Sequence, residues 1–76
     1  MKVVVTYMMV SFDNIVLYRS IYKDDIGRFF YADCQIINGC CRRRDSISTY
    51  LGEFMHSDYS NWEITDKTVD PSGALK

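Results

Sequence analysis

The chain has no excess of either charge, no even number of cysteines and only one histidine. Among its 76 residues are nine basic and ten acidic side chains, three cysteines and His56. Near neutrality excludes a global field that would draw the protein onto a polyanion. An odd cysteine count excludes a closed disulfide framework that uses every thiol. Vicinal Cys40 and Cys41 are one peptide apart, too close to bridge each other without a strained ring. Reduced thiols in a cytoplasmic setting are the expectation.

No apolar run reaches the ~20 residues that a membrane span requires. The N-terminal "MKVVVTYMMVSF" has a lysine and a short apolar stretch, but Thr6 and Tyr7 interrupt it. No small-residue cleavage site follows, so it reads as a buried strand rather than an export signal. Internal repeats and low-complexity segments are absent as well. What is present is a globular composition, 47% hydrophobic and 14% aromatic, and disordered chains lack that aromatic content. A chain of this length makes one domain with a thin stability margin and no room for a large enclosed cavity. The expectation is a non-enzymatic domain over residues 1–70, without cofactor or metal, and a flexible tail over 71–76.

Val3 to Val10 is rich in β-branched and aromatic residues and apolar on both faces, as an interior strand is. "NIVLYRSIY" and "RFFYADCQII" predict two more strands, with the polar loop "KDDIG" between them. The third strand sets Phe30, Ala32, Cys34 and Ile36 on one face, the better core candidate, and Phe29, Tyr31, Asp33 and Gln35 on the other. Asn38-Gly39 suits a two-residue type I′ turn, so "CCRRR" should return along "DCQII" as a short strand. Over 46–57, "SISTYLGEFMHS" places Ile47, Tyr50, Leu51, Phe54 and Met55 at helical spacing behind an Asp45 or Ser46 cap. "WEITDKTV" reads as a last strand. The predicted fold is α+β: a four- to five-stranded antiparallel sheet with one amphipathic helix packed on one face, in the order β-β-β-β-α-β.

Three constellations carry candidate chemistry. Cys34, Cys40, Cys41 and His56 are types that zinc accepts, but adjacent strand residues point to opposite faces, so Cys40 and Cys41 do not converge on one ion. Cys34 suits a small core position. Cys41 beside arginines, with His56 as base, has the ingredients of a thiol nucleophile but no oxyanion element or flanking motif. The arginine block Arg42, Arg43 and Arg44 splits on a strand, two on one face and one on the other. It fits edge protection by charge, a protein-binding epitope, or nucleic acid contacted together with the aromatics of "RFFY".

Eleven aromatics, Phe12 among them, exceed what one helix and one sheet face can bury. Exposed Tyr and Arg are enriched in protein interfaces. The expected contacts are therefore Arg42, Arg43 and Arg44, with Tyr18, Tyr22, Phe29 and Tyr31 on an uncovered sheet face. The expected partner is a larger protein or nucleoprotein complex. A homodimer through that face and a small RNA- or DNA-binding role are the alternatives, and no membrane is involved.

The layout resembles very small phage-encoded inhibitors of bacterial defence, anti-CRISPR proteins in particular. "IING" at 36–39 and the capped segment "SISTYLGEF" at 46–54 carry the similarity, which covers about residues 15–56; "NWEITDKTV" departs from it. Such proteins share no functional residues, so none is transferred. The resemblance implies stoichiometric binding to a Cas effector complex that blocks DNA binding or cleavage. Asp58, Glu63, Asp66 and Asp70 are too sparse to imitate a phosphate backbone, so direct gripping of a protein surface is the expected mode.

Overall fold

β-branched and aromatic runs in the first half of the chain produce three long strands. The computed structural model describes every residue except Phe12, and the side chains of all others except Arg43, Ser48 and Thr49. Strands β1 (Lys2–Val10), β2 (Val16–Lys23) and β3 (Phe29–Ile37) form an antiparallel meander. The "KDDIG" loop is closed by the Asp24 carboxylate, which accepts from the Ile26 and Arg28 amides at 3.2 and 2.7 Å. Asn38 and Gly39 both take positive φ, +52° and +79°, the mirror-image turn that matches strand twist. They deliver β4 (Cys40–Gly52) alongside β3, and a 3-10 turn (His56–Tyr59) then leads to β5 (Glu63–Thr65). The sheet order is β4-β3-β2-β1-β5, with every neighbouring pair antiparallel.

The predicted helix over 46–57 is absent, and the protein is mostly β rather than α+β. Its first half continues β4. Ser, Thr, Ile and Tyr lose rotamer freedom or compete for backbone bonds in a helix and suit a pleated surface. The helical spacing is a product of β-bulges. β4 covers with 13 residues what β3 covers with nine, and the register shifts at three places along the pair. Each extra residue changes which face the following side chains meet. The expected single stripe is accordingly divided: Ile47 packs on one face of the sheet, whereas Leu51 and Phe54 pack on the other.

Both faces of the sheet are partly covered by the chain itself. On the first face Tyr18, Tyr22, Ala32 and Cys34 are buried beneath Val69 and Leu75. On the second, Tyr7 and Ile21 are buried with Tyr59, flanked by Phe29, Tyr31, Phe54 and Trp62. The core therefore lies on two faces, not under one helix, and neither face is left wholly uncovered.

The segment expected to fray, 71–76, is instead one arm of a hairpin. Thr68 and Lys76 exchange backbone bonds at 3.3 and 2.7 Å, and the Asp70 amide donates to the Ala74 carbonyl at 2.8 Å. Gly73 is buried, and a Cβ there would stand 2.8 Å from Cβ of Arg44. Only a residue without a side chain permits that approach. Polar groups inside the first face fasten the hairpin. Tyr22 Oη donates to the Val69 carbonyl at 2.6 Å, and the Val69 amide donates to Ser20 Oγ at 2.8 Å. Ser20 Oγ in turn lies 2.7 Å from Thr6 Oγ1. Every buried side-chain nitrogen and oxygen among the described residues has a partner, as a buried polar network requires.

Candidate functional site: a stacked arginine between two unlike sheet edges

The β2–β3 register places Arg19 directly opposite Asp33. The pair is bidentate, with Arg19 Nε to Asp33 Oδ1 at 2.7 Å and Nη2 to Oδ2 at 2.8 Å. The guanidinium lies 4.1 Å from the centre of the Tyr31 ring and 5.6 Å from that of Trp62. Nη1 also reaches Tyr59 Oη at 3.4 Å. Burial works against this charge, but the Asp33 carboxylate and the Tyr59 hydroxyl outweigh it and hold the guanidinium above its ordinary value. Beside the pair lies a shallow concavity of about 160 Å³ lined by Leu17, Arg19, Tyr31, Asp33, Gln35 and Asp45. Its planar, fixed charge pair suits recognition of a polar group, since both ions are oriented before anything binds.

Next to it, Tyr7 stacks on Tyr59 with ring centres 4.3 Å apart and planes 4° from parallel. The Tyr7 hydroxyl meets His56 Nδ1 at 2.5 Å. Burial, and then Tyr59, raise the Tyr7 hydroxyl above its usual pKa, so it stays protonated. This assembly sits on the second face. Cys41 packs on the first, so Cys41 and His56 are held on opposite faces and do not form a nucleophile–base pair. Among the described residues no group of three or more potential ligands is arranged around a metal position.

The seven expected contact residues do not share a surface. Tyr18 and Tyr22 are buried under the C-terminal hairpin, only 8% and 6% exposed. Phe29 and Tyr31 lie half-buried on the opposite face, Phe29 against Phe54 at 5.4 Å and Tyr31 under Arg19. Arg42 and Arg44 are exposed on β4, the edge strand at one side of the sheet. The Arg43 side chain is outside the described residues, as is Phe12.

The opposite edge is apolar. Among the described residues, Met1, Val3, Val4, Met9, Val10 and Ile64 are exposed large hydrophobic side chains on or beside β1 and β5. β5 pairs with Thr6, Tyr7 and Met8 only, which leaves the outer edge of β1 open on either side of it. A second shallow concavity, of about 170 Å³, lies here between Met8, Met9, Val10, Asn61 and Glu63. The sequence alone does not reveal this edge. "KVVVTYMMV" reads as an interior strand, and only the short pairing with β5 shows which valines face water. Comparison with protein-family models, curated proteins and solved structures found no match. No helix among the described residues is long and apolar enough to cross a membrane.

Proposed function

We propose that this chain is a small, non-enzymatic protein-binding domain that acts in the cytoplasm by occupying a surface of a larger protein. The observation that carries the reading is the apolar β1–β5 edge, where Val3, Val4, Met9, Val10 and Ile64 are exposed beside the polar rim of Asn61 and Glu63. Exposed apolar surface bounded by polar residues marks interaction sites, and an open strand edge adds main-chain donors and acceptors for a partner strand. Arg42 and Arg44, on the far edge, supply a second contact region. In its most specific form the reading is a phage-encoded inhibitor that binds a Cas effector complex stoichiometrically. The "IING" turn supports that form; the segment 46–54 does not, since it is strand through Gly52 and has no helix.

A nucleic-acid role has one observation in its favour. Phe30 and the exposed Tyr50 pair edge-to-face at 5.5 Å, with the Arg28 guanidinium 5.7 Å from the Phe30 ring. Pull-down of tagged protein from bacterial lysate, with and without nuclease, separates the two. A defined complex that survives nuclease and moderate salt supports protein binding. Recovery that vanishes with nuclease, and affinity that falls steeply with salt, moves the assignment to nucleic acid.

A further inference from the structure

The sulfurs of Cys34 and Cys41 lie 2.7 Å apart across the β3–β4 pair. Their proximity follows from the bulge beside the arginine block. Ile36 pairs with Cys41, yet Gln35 pairs with Arg43 and Cys34 with Arg44, so Arg42 is the extra residue. Partners in the ladder share a face, which puts Cys41 on the face of Ile36 and Cys34, while Cys40, opposite Ile37, faces the other way. Cys34 is fully buried and Cys41 is half-buried. Arg44 Nε points at Cys41 Sγ from 3.4 Å, a placement that stabilises a thiolate on the more accessible sulfur. The arrangement has an outer thiol beside a cation, and an inner thiol in contact with it.

We infer that Cys34 and Cys41 form a reversible dithiol–disulfide site whose oxidant is a low-molecular-weight disulfide. Cys41 loses its proton to solvent, and its thiolate attacks one sulfur of the small disulfide. A Cys41 mixed disulfide forms and one small thiolate leaves, taking up a proton. Cys34 then loses its proton, and its sulfur attacks Cys41 Sγ. The Cys34–Cys41 bond forms, the mixed disulfide breaks, and the second small thiolate departs and is protonated. Two protein thiols are oxidised by two electrons while one small disulfide is reduced to two thiols. Cys40 takes no part and stays reduced. The product ties the arginine-bearing half of β4 to β3, so this site modifies the edge on which Arg42 and Arg44 stand. The inference is independent of the proposed partner.

The test incubates reduced full-length protein with excess oxidised glutathione, then quenches with acid, alkylates and measures intact mass. Wild type should lose two of its three alkylatable thiols and two hydrogens, with no retained glutathione. Cys40→Ser should form the same bond and keep no alkylatable thiol. Cys34→Ser should stop at a glutathione adduct on Cys41, which shows the order of attack even if that variant is less stable. The inference is overturned if folded wild type keeps three alkylatable thiols or ends as a stable glutathione adduct. It is equally overturned if Cys40→Ser abolishes the internal bond, or if the bond forms as readily in urea as in the folded protein.

Discussion

Val69 and Val10 are the same residue type, yet their replacement by alanine should have very unequal consequences. Val69 is fully buried against Tyr18, Tyr22, Ala32 and Cys34, whereas Val10 is 56% exposed at the end of β1. Truncating Val69 removes two buried carbons at about 0.8 kcal/mol each, and the cavity left behind raises the loss to about 2–3 kcal/mol. A domain of 76 residues has a total stability of roughly 4–11 kcal/mol at typical values per residue. The loss is therefore a large share of the margin, and at about 4–8 °C per kcal/mol it lowers Tm by roughly 10–20 °C. Val10→Ala should stay within about 0.5 kcal/mol of wild type. Thermal and urea unfolding followed by circular dichroism measure both. A Val69→Ala variant indistinguishable from Val10→Ala would refute the placement of the C-terminal hairpin in the core.

Four further outcomes follow from named contacts. Tyr22→Phe leaves the buried Val69 carbonyl without its 2.6 Å donor and should cost about 1–3 kcal/mol in urea unfolding, with less than additive effect in combination with Val69→Ala. Asp33→Ala strands the largely buried Arg19 guanidinium and should cost about 3 kcal/mol by the same assay, far more than Asp24→Ala, whose partner Arg28 is exposed. The Asp70 carboxyl, which accepts from Ser72 and Ala74, is held down to about 2 from its ordinary 3.8. A depressed carboxyl pKa means that its stabilisation is complete above the ordinary value and lost as pH falls through the folded one. The hairpin should therefore loosen between about pH 4 and 2, read from the amide resonances of Ser72 and Ala74. Burial, and then the neighbouring Cys41, push the Cys34 thiol up to about 11 from 9.0. The neutral form is the one the fold favours, so stability of the reduced protein should be complete below pH 9 and decline as pH rises towards 11. The Cys34–Cys41 bond removes that decline and adds about 2.5 kcal/mol by closing a short loop.

The first three strands and the turn at Asn38–Gly39 were legible because their signals are local. β-branched runs, polar loop residues and a positive-φ pair are read within a few positions of each other. The second half of β4 was not legible, since bulges opposite β3 mimic helical spacing in Ile47, Tyr50, Leu51 and Phe54. A periodicity test assumes regular geometry, and the register that breaks it lies in another strand. The burial of Tyr18 and Tyr22 depends on Val69, 47 residues beyond Tyr22, and no window of sequence spans that contact. Arg19 and Asp33 became a candidate site only once the β2–β3 register set them opposite each other. Arg42 and Arg44 were correctly read as strand residues, but the apolar edge at the other side of the sheet depends on how little of β1 is covered by β5. Sequence shows that β1 is apolar; the extent of β5 decides which part of it meets water.

The most direct test of the binding account compares the two edges. Purified captured partner is titrated with wild type, with Val10→Asp/Ile64→Asp, and with Arg42→Glu/Arg44→Glu, after circular dichroism has confirmed that each variant is folded. The account predicts that the apolar-edge variant loses at least tenfold in affinity, about 1.4 kcal/mol, with a smaller, salt-dependent loss for the arginine variant. Full affinity in the apolar-edge variant, together with loss of binding in the arginine variant, would contradict it.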